Sequence, residues 1–163
     1  MPTYFTVDRL GTLSEGAVVE TTHSGTGTDL IPEYVSRHGA RYLTVDVWSH
    51  WCPQQGNGRD MMIELVWELA RRQVNPQAPS RLECLFAWAT IDQARAFRGA
   101  SGGTIYEVEA ERGFKADMAH LGVDGTLVDI AARTSAYWKQ LPGPRVQWEH
   151  LLTLPVTIGP STT

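Results

Sequence analysis

The chain closes on an apolar, strand-like run, Trp148-Glu149-His150-Leu151-Leu152-Thr153-Leu154-Pro155-Val156-Thr157-Ile158, headed by a single acid. It opens on a second strand-like stretch, Tyr4-Phe5-Thr6-Val7-Asp8-Arg9, where Thr3, Phe5 and Val7 alternate with Tyr4, Thr6 and Asp8. Strands at both ends, with helical segments between them, call for a mixed α+β fold. A length of 163 residues suits one domain, 1–163, with a core of its own.

Between the two ends the signals alternate. A short strand is expected over 17–22, and His23-Ser24-Gly25-Thr26-Gly27-Thr28 reads as a polar loop. Residues 33–50 carry aromatic and β-branched side chains without a clear period, and 53–58 reads as a loop. Asp60 is placed to cap a helix to about Gln73, with Met62, Leu65, Val66 and Leu69 as its apolar stripe and Glu68 set to pair with Arg72. Pro76 and Pro79 break that helix. Residues 82–88 read as a buried strand, and Thr90 caps a helix ended by the glycines of 99–103. A strand over 105–110 precedes a Gly/Lys/Asp-rich turn. A helix near 126–138 presents Leu127, Ile130, Ala131 and Tyr137 or Trp138 on one side. No repeat, low-complexity tract or linker interrupts this order.

Charge narrows the function. A net charge of −4 argues against a nucleic-acid binder that depends on a basic surface. No apolar run approaches the ~18 residues of a membrane span. The start, Met1-Pro2-Thr3-Tyr4, lacks the basic-then-apolar pattern of a signal peptide, so a cytoplasmic location is expected. Cys52 and Cys84 stand outside any metal-ligand or Cys-x-x-Cys spacing and read as buried or idle thiols. Six tryptophans point first to core filling and second to a stacking pocket.

The five histidines form no His-x-x-x-His or His-Glu-x-x-His pattern, and loop or surface positions are their default. Neither a Walker loop nor a Gly-x-Ser-x-Gly elbow occurs, and no metal site is expected. Glu107, Glu109 and Glu111 alternate along one strand and read as a solvated face. Asp117 and Glu149 stand apart from any charge run. A paired-carboxylate glycosidase would need a larger chain with more sugar-stacking loops. Arg9 and Arg81 each follow small hydroxyl residues at strand ends, and a planar, permanently charged guanidinium suits a diphosphate. Ion pairing for Arg9 and a solvated loop for Arg81 are the competing roles.

Four blocks together resemble the ADP-ribosyltransferase fold and, more narrowly, a bacterial family of unknown function of the DUF2441 type assigned to that fold. They are Tyr4-Phe5-Thr6-Val7-Asp8-Arg9; Pro79-Ser80-Arg81 leading to Leu85-Phe86-Ala87-Trp88-Ala89-Thr90-Ile91-Asp92-Gln93-Ala94; Ile105-Tyr106-Glu107-Val108-Glu109 with Asp117-Met118; and Tyr137-Trp138 followed by Trp148-Glu149-His150-Leu151-Leu152. The blocks are also similar to small antibiotic-modifying members of the fold. The resemblance implies one ADP-ribosyltransferase-like domain, α+β, with a mixed or antiparallel split sheet and flanking helices.

It further implies NAD as substrate and Glu149 as the catalytic acid on the ribose. The cofactor-binding set it implies is Tyr4, Thr6, Asp8, Arg9, Ser80, Arg81 and Phe86. Thr6 stands where the family often has histidine or arginine, and Phe86 matches the aromatic that stacks on nicotinamide. Breaking the nicotinamide bond leaves a cationic, oxocarbenium-like ribose, which a fixed carboxylate stabilises more than it does neutral substrate.

The expected activity is mono-ADP-ribosyl transfer or NAD hydrolysis. The acceptor would be a protein, a nucleic-acid base or a small molecule. Such small domains suit toxin-like or modification enzymes, and an antitoxin or immunity protein is the partner that context implies. The alternative is a catalytically inactive nucleotide-binding or protein-interaction module on the same fold. A phosphate-transfer enzyme that uses Arg9 and Arg81 is a third reading.

Overall fold

The computed structural model describes residues 1–43 and 57–162. The opening stretch forms β1 (Thr3–Asp8), which pairs antiparallel with β6 (Thr104–Glu109), Thr3 opposite Glu109 and Asp8 opposite Thr104. The other edge of β6 takes β9 (Val156–Thr162), and β9 takes the two-residue β2 (Val18–Val19). In a second antiparallel sheet β8 (Trp148–Thr153) lies between β5 (Cys84–Ala87) and β7 (Gly113–Asp117). Two short strands, β3 (Thr22–His23) and β4 (Tyr34–Val35), pair separately. The two larger sheets meet where Phe5 and Trp88 exchange backbone hydrogen bonds, both of 2.8 Å. The architecture is therefore α+β with antiparallel sheets, split at that junction.

Four α-helices are described: α1 (Arg37–Leu43), α2 (Asn57–Val74), α3 (Ile91–Arg98) and α4 (Leu127–Trp138). The main core lies between α2, α4 and the second sheet, where Ile63, Trp67, Cys84, Tyr137, Trp138 and Leu151 pack together. Trp138 fills space and donates its indole N–H to the Trp67 carbonyl at 2.8 Å, so its polar edge is satisfied on burial. α3 covers β1 and β6 through Trp88, Ala94 and Ile105. The expected Thr90 cap is present, its hydroxyl accepting from the Gln93 N–H. Thr126 and Asp129 form a reciprocal capping box on α4. Among the described residues no helix is long and apolar enough to cross a membrane.

Several expectations are corrected. α2 begins at Asn57, so Asp60 sits in its first turn and is not its cap. Of the expected stripe, Val66 packs against the main core and Met62 is half-buried, but Leu65 and Leu69 are exposed. Met61, Ile63, Glu64, Trp67 and Glu68 are buried instead. The helix turns two glutamates inward because each finds a cation, and the apolar stripe alone did not register that compensation. The Gly/Lys/Asp-rich segment is strand β7, since Gly113 to Asp117 complete a ladder with β8. The closing run divides at Leu154-Pro155 into β8 and β9, which belong to different sheets; proline has no N–H with which to continue a ladder. On α4, Leu127 and Ala131 face solvent while Thr134, Tyr137 and Trp138 are buried. The strand expected over 17–22 is reduced to Val18–Val19, with Thr22 joining β3. Of the ambiguous stretch 33–50, Tyr34–Val35 form β4 and Arg37–Leu43 form α1, and 44–50 lie outside the described residues. Cys52 and 53–56 of the loop expected over 53–58 lie outside the described residues, while Asn57 and Gly58 belong to α2.

Candidate functional site

A cleft of about 580 Å³ is lined by the end of β1, by α1, by the first turns of α2, by β5 and by the head of β8. Its floor is built around Arg81, which precedes β5 in a 3-10 turn (Arg81–Glu83). Ser80 caps that turn through the Leu82 N–H and donates its hydroxyl to Glu68 at 2.8 Å. Glu68 also takes Arg71 and Arg72, so the expected Glu68–Arg72 pair exists. Glu64 lies one helical turn earlier on the same face of α2. The neighbouring residues Ser80 and Arg81 thus serve two acids four positions apart.

Arg81 is buried and spans two carboxylates. Its Nε lies 3.0 Å from Glu64 Oε2 and its Nη2 2.9 Å from Glu64 Oε1. Its Nη1 donates to Glu149 Oε1 at 2.6 Å and to the Tyr137 hydroxyl. Tyr137 in turn donates to the same Glu149 Oε1 at 2.7 Å. Among the described residues nothing hydrogen-bonds to Glu149 Oε2. Burial works to raise the Glu64 carboxyl, but the Arg81 charge and His38 outweigh it and hold the group down at about 2. Burial opposes the Arg81 charge, and Glu149 and Glu64 more than restore it, so the guanidinium is held well above its ordinary range. Burial pushes the Tyr137 hydroxyl well above its usual value. It stays a neutral donor. Cys84, beneath the cleft, is pushed by burial up to about 12 and is inert as a thiolate.

One wall comes from α1. Gly39 lets this helix approach the turn before β5: a Cβ there would stand 2.2 Å from the Leu82 carbonyl oxygen. Ser36 ties the same approach through its N–H and hydroxyl, both donating to Leu82 O at 2.8 and 3.0 Å. The adjacent His38 is thereby set edge-on to Phe86, ring centres 4.5 Å apart. His38 Nε2 lies 3.1 Å from Glu64 Oε1, off the line of a hydrogen bond. Phe86 carries the Arg81 guanidinium over its face at 4.6 Å.

The rim is basic. Arg9, Arg37, Arg41 and Arg59 all line the cleft and are exposed. Arg9 lies over the Phe97 ring at 4.2 Å and donates to the Phe97 carbonyl at 2.6 Å. Arg59 reaches Asp124 at 3.6 Å.

The expected residues Thr6, Asp8, Arg9, Arg81, Phe86 and Glu149 all line this cleft. Two expected residues do not. Tyr4 packs in the core between the two larger sheets, its ring tilted against His150 with centres 5.0 Å apart, and accepts from the Gly113 N–H. Ser80 faces Glu68 as described. Thr6 spends its hydroxyl on the Phe86 carbonyl at 2.8 Å and so joins β1 to β5. Asp8 accepts from the N–H groups of Leu10, Thr12 and Leu13, which shape the loop at the cleft mouth. Burial opposes the Asp8 charge, and these backbone donors hold its carboxyl below the usual range. Arg81 is neither solvated nor free to clamp a diphosphate, since two carboxylates occupy it.

Glu107 is half-buried and Glu109 exposed on β6, away from the cleft, and Asp117 organises the loop before β8 through Ala119, Gly143 and Gln147. From sequence, Glu64 has no assigned role, His38 has the default of a loop or surface histidine, and Tyr137 stands on one side of its helix without a site role. The one available signal was the Glu64–Glu68 spacing on a helix otherwise apolar at the neighbouring positions. Among the described residues no group of three or more His, Cys, Asp or Glu is arranged to hold a metal ion.

The family model for DUF2441, a protein of unknown function, matches residues 41–160. The match takes in α2, β5 and β8, which supply Glu64, Arg81 and Glu149. No curated protein matches the chain.

Proposed function

The chain belongs to the DUF2441 family, and on that premise we propose an NAD-dependent mono-ADP-ribosyltransferase, or an NAD glycohydrolase where water is the acceptor, on an ADP-ribosyltransferase-like domain. The observation that carries this reading is the charge layout of the cleft. Two acids, Glu64 and Glu149, share one buried cation, while the rim carries exposed arginines. NAD has the complementary layout, a cationic nicotinamide ribosyl group followed by an anionic diphosphate. The acid floor favours charge developing on the ribose, and it is fixed before substrate arrives. Arg9, Arg37 and Arg41 replace Arg81 as the diphosphate contacts. Phe86 and Trp88 supply apolar surface that shields a flat ring from water. Glu149 offers Oε2 to the ribose while Arg81 and Tyr137 hold Oε1.

A catalytically inactive nucleotide-binding module is the second reading, and a specific observation favours it. Glu149 is buried with one oxygen committed to two donors, which is also how a structural acid is held. Nicotinamide release separates the two. Purified protein incubated with NAD is expected to release nicotinamide, followed by chromatography, and to bind NAD in a calorimetric titration. Binding without release under any acceptor condition selects the inactive module. Absence of binding removes both readings.

A further inference from the structure

Transfer of a ribosyl group to water or to an N–H or O–H acceptor liberates a proton, and the reaction described above leaves open which group takes it. The acids of the floor are poorly placed. Glu64 has both oxygens on Arg81 and is held at about 2, too weak a base. Asp8 is saturated by backbone N–H donors. Glu149 is required as an anion beside the ribose. Tyr137 donates to Glu149.

His38 differs from all of these. Among the described residues it is the imidazole that lines the cleft, with a side chain 23% exposed. Its Nε2 is buried without a hydrogen bond and faces Glu64 Oε1 at 3.1 Å. The tautomer that suits a carboxylate neighbour has its hydrogen on Nε2. That leaves the Nδ1 lone pair, to which no donor is bound among the described residues. Imidazole is the side chain suited to exchanging a proton near neutral pH. The imidazolium that results gains Glu64 as a counter-ion, itself held by Arg81.

We propose that His38 is the general base of the site, its Nδ1 taking the proton of the acceptor, with Glu64 positioning the ring and stabilising its charged form. This inference rests on the ADP-ribosyl-transfer reading. In the step, the bond between ribose C1′ and the nicotinamide nitrogen breaks, and its electron pair leaves with neutral nicotinamide. A lone pair of the acceptor forms the new bond to C1′, and the acceptor proton passes to His38. The charged groups that line the same cleft are Glu64 and Asp60 from α2, Arg81 from the turn before β5, Glu149 from β8, and Arg37 and Arg41 from α1 itself; Glu64 lies nearest at 3.1 Å, and Tyr42 stands edge-on to the ring at 5.1 Å.

The test compares wild type with His38→Gln and His38→Ala, reading nicotinamide release, NAD affinity and circular dichroism. For wild type, kcat is expected to fall on the acid side as the base protonates. His38→Gln should lower kcat by about 10²-fold, keep NAD affinity within a few fold and lose the acid limb. Added imidazole should restore part of the His38→Ala rate. A His38→Gln enzyme with the wild-type rate and limb overturns the base while leaving the transferase reading intact. Variants that lose NAD binding or their folded spectrum assign His38 to the scaffold and also overturn it. A wild type that releases no nicotinamide removes the transferase reading and the base with it.

Discussion

Arg81 Nη1 lies 2.6 Å from Glu149 Oε1, with both side chains buried, and the opposite edge of the same guanidinium meets Glu64. This pairing ties the last-strand acid to the turn before β5 and to helix α2. It sets the position of the Glu149 carboxylate without occupying Oε2.

Removing the charge of Glu149 tests the anionic floor. Glu149→Gln keeps the shape and can still accept from Arg81. Nicotinamide release should fall by about 10²–10³-fold, the scale of a lost electrostatic contact in a transition state, while calorimetry finds NAD affinity within a few fold. An unchanged rate would take Glu149 out of the chemistry.

Removing Arg81 should cost stability before activity. Arg81→Met strands Glu64 and Glu149 as unpaired buried charges, for a loss of about 3–5 kcal/mol, measured by urea denaturation. Arg81→Lys retains the charge but lacks the fork that spans two carboxylates, so it should recover part of the loss. A change under about 1 kcal/mol in the methionine variant would contradict the buried pairing.

Acid sensitivity follows from Glu64. Folding lowers its carboxyl from 4.5 to about 2, so the unfolded chain binds this proton more readily. The stabilisation is fully present above pH 4.5 and is lost as pH falls through 2. Its size is of the order of 3 kcal/mol. Denaturation midpoints measured across that window should fall steeply for wild type. For Glu64→Gln they should start lower and change less. Parallel curves would place the acid transition on other carboxylates.

The arginine rim is tested by affinity and salt. Arg41→Ala and Arg37→Ala should each weaken NAD binding roughly tenfold, as expected for a lost hydrogen bond to a charged group. The remaining affinity should depend less on ionic strength. Their folding stability should stay near that of wild type, because both side chains are exposed. Affinity indifferent to both substitutions would move the diphosphate elsewhere.

Local signals carried much of the fold. The alternation in 3–8, the Thr90 cap and the proline break after α2 each act within a few residues, and each appears where sequence placed it. The apolar stripe of α2 failed because burial is decided by partners. Glu64 and Glu68 are ordinary surface residues until Arg81, Arg71, Arg72 and Ser80 arrive from elsewhere in the chain or the next turn. Thr6 shows the converse. The family resemblance gave it a ligand contact, yet its hydroxyl crosses the split between the sheets to Phe86 O.

The candidate site divides along the same line. Through its family resemblance the sequence grouped Tyr4, Thr6, Asp8, Arg9, Ser80, Arg81, Phe86 and Glu149, and all but Tyr4 and Ser80 line one cleft, because strand ends in adjoining sheets carry their flanking residues there. It also determined the α+β class, through periodicity and caps that need no distant partner. Only the tertiary structure decided that Arg81 serves two acids and no diphosphate, that His38 stands over Glu64, and that Tyr4 and Ser80 face away. Those outcomes depend on charge compensation and close packing between residues far apart in the chain, such as Gly39 against Leu82 and Arg81 against Glu149. A buried charge is tolerated only where its counter-charge lies, and the fold alone sets that distance.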